Sequence, residues 1–553
     1  MEFKIAQVSS LEKIRSCNEL TCDEIHKKTV LAGERFSYQI CIKTGWPMQS
    51  DVSISSEFGD HIKLYCVKEA YMDMPVTDRR VGMEDYITQD PGYMPDVLVP
   101  LEEQQYQVLL ASKLTTFWVK IDIPRDMAPG TYSVKVTFTA KAANDLQPIS
   151  ALHKTMLIEV IPAAIPQQKL IYTRWFYADC IATQHNVEIY SEAHWELLEK
   201  YIAAAADVGI NMMLVPVHTP PLDTAIGTAR PCVQLVDIEK KGDTYEFTFG
   251  KFKRFIDICK KCGIKYFEMA HMFSQWGAKC TPNIMVTENR KTDYMFGWHV
   301  AADSPEYTEF LKQYISAITQ ELEKEGISEN TYFHISDEPS PDNLATYERA
   351  SKIIRPLLGK CKTFDALSAY SIYEKGLVEC PVTCVDHIHE FLEHNIENQW
   401  AYYCCEPQSV YTNSLMAMPS YRTRILGFLL YKYNIKGFLH WGFNYYNSQV
   451  SYYPINPYLT TSADGAFPSG DPYIVYPSKN GVYPSIRGEV TYEAIQDMDI
   501  CFALEAIMGR KAVVEMIDKA AGLNLRFDDY PRNKAFLENL RAAMIEKIRE
   551  ANS

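Results

Sequence analysis

The sequence predicts an α/β protein: a (β/α)8 TIM-like barrel preceded by an N-terminal all-β sandwich and followed by a short helical C-terminal tail. Three observations carry this. Residues 1–165 alternate with a period of two, the pattern changes at 161–166, and eight apolar strand-like runs then alternate with helical periodicity. The predicted units are 1–165 for the sandwich, 169–510 for the barrel and 511–553 for the tail. A doubly wound sheet is the rival arrangement for the middle unit. At 553 residues the chain is too long for one ordinary domain.

In the first unit, Thr131-Tyr-Ser-Val-Lys-Val-Thr-Phe-Thr139 puts Tyr132, Val134, Val136 and Phe138 on one face. Pro129-Gly130 supplies the turn before it, and 117–123 is the expected antiparallel neighbour. Further strands are expected at 36–43, 51–55, 62–67 and 154–161, as in a sandwich. The stretch 78–100, with Pro91-Gly92, Pro95 and Pro100, reads as a long irregular loop that is functional or packed across a neighbour.

Barrel strands are expected at 170–177, 211–217, 264–270, 331–336, 362–367, 382–387, 400–405 and 437–443. Between them Phe252, Phe255, Ile256 and Cys259, and then Phe310 to Leu322, recur at helical spacing. Ser304-Pro305 and Ser340-Pro341 read as a cap followed by proline at the first helical position. Gly209, Gly263 and Gly326 each close a helix, and a last helix is expected near 484–508.

Composition narrows the function. With 55 basic and 70 acidic residues the net charge is −15, and no basic run interrupts it, which excludes a phosphate-backbone binder. No apolar run has the ~18–20 residues of a membrane helix. The 15 cysteines are scattered, many in apolar segments, as expected of reduced thiols. With no leader pattern at Met1, they predict a cytoplasmic protein. Cys259-Lys-Lys-Cys262 has no second pair and reads as ordinary helix rather than a zinc site. The oligomeric state is left open.

In a barrel, chemistry gathers just past the strand C-termini. Those positions hold Trp175, Tyr177 and Asp179; His218; His271, Gln275 and Trp276; Asp337-Glu338-Pro339; Asp365; Asp386 and His387; Glu406; and Trp441, Asn444, Tyr445 and Tyr446. The set is rich in carboxylates and aromatics and poor in Lys and Arg. That suits sugars, whose C–H faces pack on rings and whose hydroxyls bind carboxylates, Asn and His. The sharpest signal is Tyr332-Phe-His-Ile-Ser-Asp-Glu-Pro-Ser340, an apolar strand running into two adjacent acids. The bland reading makes one acid a helix cap, yet Ser340 already serves there.

At this pair the chain resembles glycoside hydrolase family 123, the β-N-acetylgalactosaminidase family. Trp118-Val-Lys-Ile-Asp-Ile-Pro-Arg-Asp-Met-Ala-Pro-Gly-Thr-Tyr132, Arg174-Trp-Phe-Tyr-Ala-Asp-Cys180 and Pro484-Ser-Ile-Arg-Gly-Glu489 with Gln496-Asp-Met-Asp499 extend the likeness over about 100–500. Gly488 and Met498 depart from it at packing positions. The resemblance implies substrate-assisted hydrolysis with retention and no metal or organic cofactor. Asp337 would orient the 2-acetamido group and offset oxazolinium charge. Glu338, its pKa raised by its neighbour, would act as acid and then base. Trp175, His218, His271, Trp276, Trp441, Asn444 and Tyr445 would bind substrate. Two alternatives stand beside it: an ordinary retaining glycosidase with Glu338 as acid/base and Glu406 as nucleophile, and a non-catalytic carbohydrate-binding protein.

Overall fold

A computed structural model describes residues 3–103, 107–142, 145–275 and 277–552. Two five-stranded sheets form its N-terminal part. In one, Phe3–Ser9, Arg35–Thr44, Leu114–Asp122, Ile62–Met72 and Gly92–Pro100 pair antiparallel in that order. In the other the order is Lys27–Ala32, Asp145–Ala164, Gly130–Ala142, Met48–Ser56 and Gln107–Leu109, its first two strands parallel. Inward residues such as Ile40, Phe117, Val119, Val134, Val136 and Phe138 fill the space between.

The stretch 117–123 is therefore not the neighbour of 131–139. The two strands face each other across the sandwich, with the Phe117 and Phe138 rings 5.1 Å apart. The connection between them holds Pro124 and Pro129, which lack the N–H a ladder needs, and it crosses between sheets instead of folding back. Leu114–Asp122 is a central strand buried on both faces. Phe117, Val119 and Ile121 enter the sandwich core, while Trp118 joins the core of the second part of the molecule. The stretch 78–100 also divides: Gly92–Pro100 is a paired strand, and the irregular part before it lies over the barrel loops.

The second part contains a closed barrel of eight parallel strands: Ile171–Arg174, Met212–Val215, Tyr266–Met269, Thr331–Phe333, Lys362–Ala366, Cys380–Cys384, Trp400–Tyr402 and Gly437–His440. Helices Glu192–Asp207, Gly250–Lys261 and Pro305–Lys324 lead back to the next strands. The Ser304 side chain caps the third, accepting from Tyr307 N at 3.2 Å. Gly209, Gly263 and Gly326, at φ of 85°, 91° and 70°, make the left-handed turns that end them.

The expected fold class needs correction. A simple α/β barrel with a sandwich before it is not what the chain forms. Between strands 2 and 4 it inserts a separate four-stranded sheet, ordered Thr244–Thr248, Asp237–Lys241, Ile284–Glu288 and Lys291–Phe296. Another two-stranded hairpin, Tyr476–Ser478 with Gly481–Tyr483, follows strand 8. Tyr370–Tyr373 and Ile388–Glu393 are only four and six residues long, so the strand–helix repeat is irregular after strand 5. The C-terminal segment is the helical tail expected, and it packs closely on the rest of the chain. Lys534–Asn552 buries Leu537, Leu540, Met544, Ile545 and Ile548, and its Arg541 pairs with Glu34 of the sandwich. Among the described residues, four antiparallel or mixed sheets stand outside the barrel and make the chain richer in β structure than expected.

The junction between the two parts is an ion-pair cluster. Lys120, fully buried on the outer face of its strand, meets Asp207 at 2.5 Å and Glu489 at 3.1 Å. Arg35 reaches Asp122 and Asp207, each at 2.7 Å. Glu489 lies on Ile486–Met508, a helix buried along most of its length.

Candidate active site

A cavity of about 220 Å³ opens at the C-terminal rim of the barrel. Asp337, Glu338, Asp223 and Gln275 line it with the rings of Trp175, Tyr402, Trp441 and Phe467. No Lys or Arg lines it among the described residues.

Local geometry explains how two consecutive acids share one cavity. Strand 4 ends at Phe333, so the strict alternation of faces stops before Asp337. Ser336 is pinned by its hydroxyl to the Ser274 carbonyl at 2.8 Å. Glu338 then takes φ 45°, a left-handed conformation costing a non-glycine residue about 1–3 kcal/mol. The Tyr402 hydroxyl donates to Glu338 Oε1 at 3.0 Å. Neither acid is needed as a cap, because Ser340 N donates to Asn343 Oδ1 at 2.8 Å in a capping box over Pro341–Asn343.

Burial, then the Glu338 and Asp223 carboxylates, hold the Asp337 carboxyl well above the usual carboxylate range. Asp223 is pushed up to about 6, chiefly by burial and further by Glu338, against the Tyr177 hydroxyl and Arg230. Tyr177 Oη donates to Asp223 Oδ2 at 2.8 Å, and Asp223 N donates to Gln275 Oε1 at 2.7 Å.

Beneath the cavity lies a polar layer of the barrel. His334 bridges Asp365 and Glu268, 3.0 Å from each, and the two carboxylates raise it to about 9 despite burial. Thr173 donates to Glu268. Thr173, Glu268 and Asp365 come from strands 1, 3 and 5, the alternate-strand pattern of a barrel layer. His271 stacks on His334 at 3.9 Å, and Trp175 stands edge-on to both. Trp175 Nε1 and both His271 ring nitrogens are buried without a hydrogen-bond partner among the described residues.

The remaining candidates sit behind these walls. His218, fully buried, bonds the His271 carbonyl at 2.9 Å and does not line the cavity. Asn444 clamps the Tyr177 backbone, accepting from its N at 2.9 Å and donating to its O at 3.0 Å. Tyr445 packs against Trp441 at 5.2 Å and bonds the Ser448 carbonyl. Trp441 donates to Asp471 at 2.9 Å, which orients its ring along the cavity. Trp276 lies outside the described residues.

Comparison with known proteins then decides the family. Residues 175–504 match the family described as glycoside hydrolase 123, catalytic domain. The chain belongs to glycoside hydrolase family 123. It is a glycoside hydrolase, and its substrate is a carbohydrate. A solved family 123 glycoside hydrolase from Clostridium perfringens, described for glycolipid glycan hydrolysis, aligns over 100% of this chain and 98% of its own. The identity is 16% and the TM-score 0.74, a likeness of fold. The C. elegans MSP family member WR4 (6% identity, TM-score 0.14) covers 24% of this chain and 91% of its own. A PapD-like domain of human CEP192 (11% identity, TM-score 0.13) covers 25% of this chain and 84% of its own. Those partial likenesses carry no argument. No curated protein matches the sequence. No helix among the described residues is long and apolar enough to cross a membrane.

In this family 123 enzyme Glu406 is held in an ion pair. Arg80, from the segment laid over the barrel, grips both its oxygens at 2.9 Å, and Gln408 donates to both at 3.0 Å. Glu406 is outside the cavity lining, as are Asp386, paired with exposed His387, and Asp179, held by buried Arg230. Two groups of three donors come close among the described residues: His271, His334 and Asp365, and Cys384, Asp386 and His387. The first does not fit a cation. Its two imidazoles lie face to face with 9° between planes, so their lone pairs run in parallel sheets. Both His334 nitrogens are also already bonded.

Asp223 and Tyr402 were missed from the sequence. Tyr402 ends strand 7, inside an apolar run where a single tyrosine reads as core packing. Asp223 stands eight residues past strand 2, after Pro220-Pro221, whose stiffness turns the loop back over the rim.

Proposed function

We propose that the enzyme releases a terminal β-linked N-acetylhexosamine, with N-acetylgalactosamine preferred over N-acetylglucosamine, through an oxazolinium intermediate and with retention. The observation that carries this reading is the adjacent pair Asp337–Glu338 facing one cavity while the carboxylate across the rim, Glu406, is tied to Arg80. With Glu406 held by Arg80, the substrate's acetamido oxygen attacks the anomeric carbon in this reading. Asp337 accepts the acetamido N–H and offsets the growing positive charge. Glu338 protonates the leaving oxygen and then takes a proton from water.

Burial and the neighbouring carboxylates hold a proton on Asp337 in the free enzyme. The productive form carries that proton on Glu338, and the N–H of the bound acetamido group favours it by bonding an ionised Asp337. Trp175 and Trp441 pack the sugar's apolar faces, and His218, His271, Asn444 and Tyr445 hold those walls. The galacto and gluco sugars differ at the 4-hydroxyl, which one polar contact can discriminate. Within this reading residues 169–510 are the catalytic unit, and 1–165 and 511–553 brace it.

The test compares aryl β-glycosides with and without a 2-acetamido group. Cleavage confined to the acetamido sugars, and inhibition by an oxazoline-mimicking thiazoline, are expected. Equal or better hydrolysis of the gluco substrate would overturn the galacto preference alone. A 2-fluoro glycoside that leaves a covalent sugar on Glu406 would overturn substrate assistance.

A further inference from the structure

Strand 7 runs into Tyr402-Tyr-Cys-Cys-Glu406. On a regular strand, adjacent cysteines would point to opposite faces. Pairing ends at Tyr402, however, and both Cys404 and Cys405 line the sugar cavity beside Glu338. Their sulfurs are 3.8 Å apart, and both are free thiols, neither fully buried. A third thiol, Cys384, shares the Glu406 carbonyl with Cys404, at 3.9 and 3.6 Å, but does not line the cavity.

Two adjacent sulfurs make a soft chelating pair. The hydrogen bond with Cys405, then burial, holds the Cys404 thiol well above its ordinary value, so it carries its proton at neutral pH. A divalent metal would have to displace that proton. A trivalent arsenical brings the acceptor for it: R–As(OH)2 and two thiols give R–As(SR)2 and two waters. Two As–O bonds break, two As–S bonds form, each thiol proton leaves on a hydroxyl, and nothing is oxidised or reduced. We propose that Cys404 and Cys405 form a dithiol site for monosubstituted trivalent arsenicals, and that loading it closes the sugar pocket. The closure half rests on the function proposed above.

The test treats the full chain with phenylarsine oxide, which hydrates to the dihydroxide, and reads the intact mass. One phenylarsenic per chain is expected, removed by 2,3-dimercaptopropanol. Cys404→Ser and Cys405→Ser should each weaken retention by about 10²–10⁴-fold, the loss when a second contact is no longer intramolecular. Cys384→Ser should retain the label. A label that survives both serine variants, or that is lost with Cys262→Ser in the Cys259-Lys-Lys-Cys262 turn, would overturn the site. Aryl glycoside hydrolysis should disappear on loading, and full activity in the labelled enzyme would overturn closure. If the unlabelled chain cleaves no glycoside, the function has failed, and the mass readout still decides the dithiol.

Discussion

At the junction of sandwich and barrel, buried Glu489 and partly exposed Asp207 face cations; in the cavity, Asp223, Asp337 and Glu338 share a lining without Lys or Arg. The consequences run in opposite directions. Arg35 and Lys120 hold the Asp207 carboxyl far below the usual range, while burial and neighbouring acids lift Asp337 and Asp223 above it. Paired charge locks two domains together; unpaired acid is costly to the fold and available for chemistry.

The largest effect should come from the cavity. Glu338→Gln is expected to slow cleavage of unactivated glycosides by about 10²–10⁴-fold, and activated aryl glycosides less. Asp337→Asn should slow both substrate types, because oxazolinium formation suffers whatever the leaving group. Steady-state kinetics on the two substrate types would expose the contrast, and equal losses in Glu338→Gln would break it. The pH profile sharpens it further. The acid limb of wild-type kcat/KM should report the raised Asp337 carboxyl, and the residual activity of Asp337→Asn should lack that limb.

Glu489→Gln at the junction should cost about 3 kcal/mol of stability by urea unfolding, because Lys120 and Arg35 lose a buried counter-charge. Activity per folded molecule should hold; its collapse would mean that the junction also shapes the cavity.

Asp223→Asn should go the other way. Its folded pKa of about 6 lies above the model-peptide value, so ionisation in the fold costs stability above pH 6. Removing the charge should add about 1–2 kcal/mol at pH 7, and the gain should fade as pH drops from 6 towards 4. A destabilised Asp223→Asn would show that its bond to Tyr177 outweighs the charge. The smallest effect is expected at Glu406, where Glu406→Gln should lower kcat/KM by less than tenfold.

The parts legible in the sequence are those where local pattern and barrel geometry act together. Parallel strands deliver their C-termini to one rim, so Trp175, Asp337, Glu338 and Trp441 could be gathered by reading the ends of apolar runs. Asp223 could not, because a loop position eight residues out has no periodicity to fix it. The inserted sheet did leave a trace: Asp237 to Thr248 alternates around Gly242-Asp243, a hairpin turn sequence. The pairing of 114–122 was illegible for another reason. Both its faces are buried, so alternation does not say which sheet it joins. Helix Lys534–Asn552 showed its apolar spacing, but nothing local to it says that Glu34 is its partner.

That last contact sets a clock. Arg541 and Glu34 are separated by 507 positions in the chain. At about 5–20 residues per second, synthesis brings the arginine to the glutamate roughly 25–100 s after the glutamate is made. Glu34 and the sheet edge around it must wait that long for their last neighbour. The nascent sandwich therefore stands with this side uncovered while the barrel is made, and is sealed only as helix Lys534–Asn552 emerges.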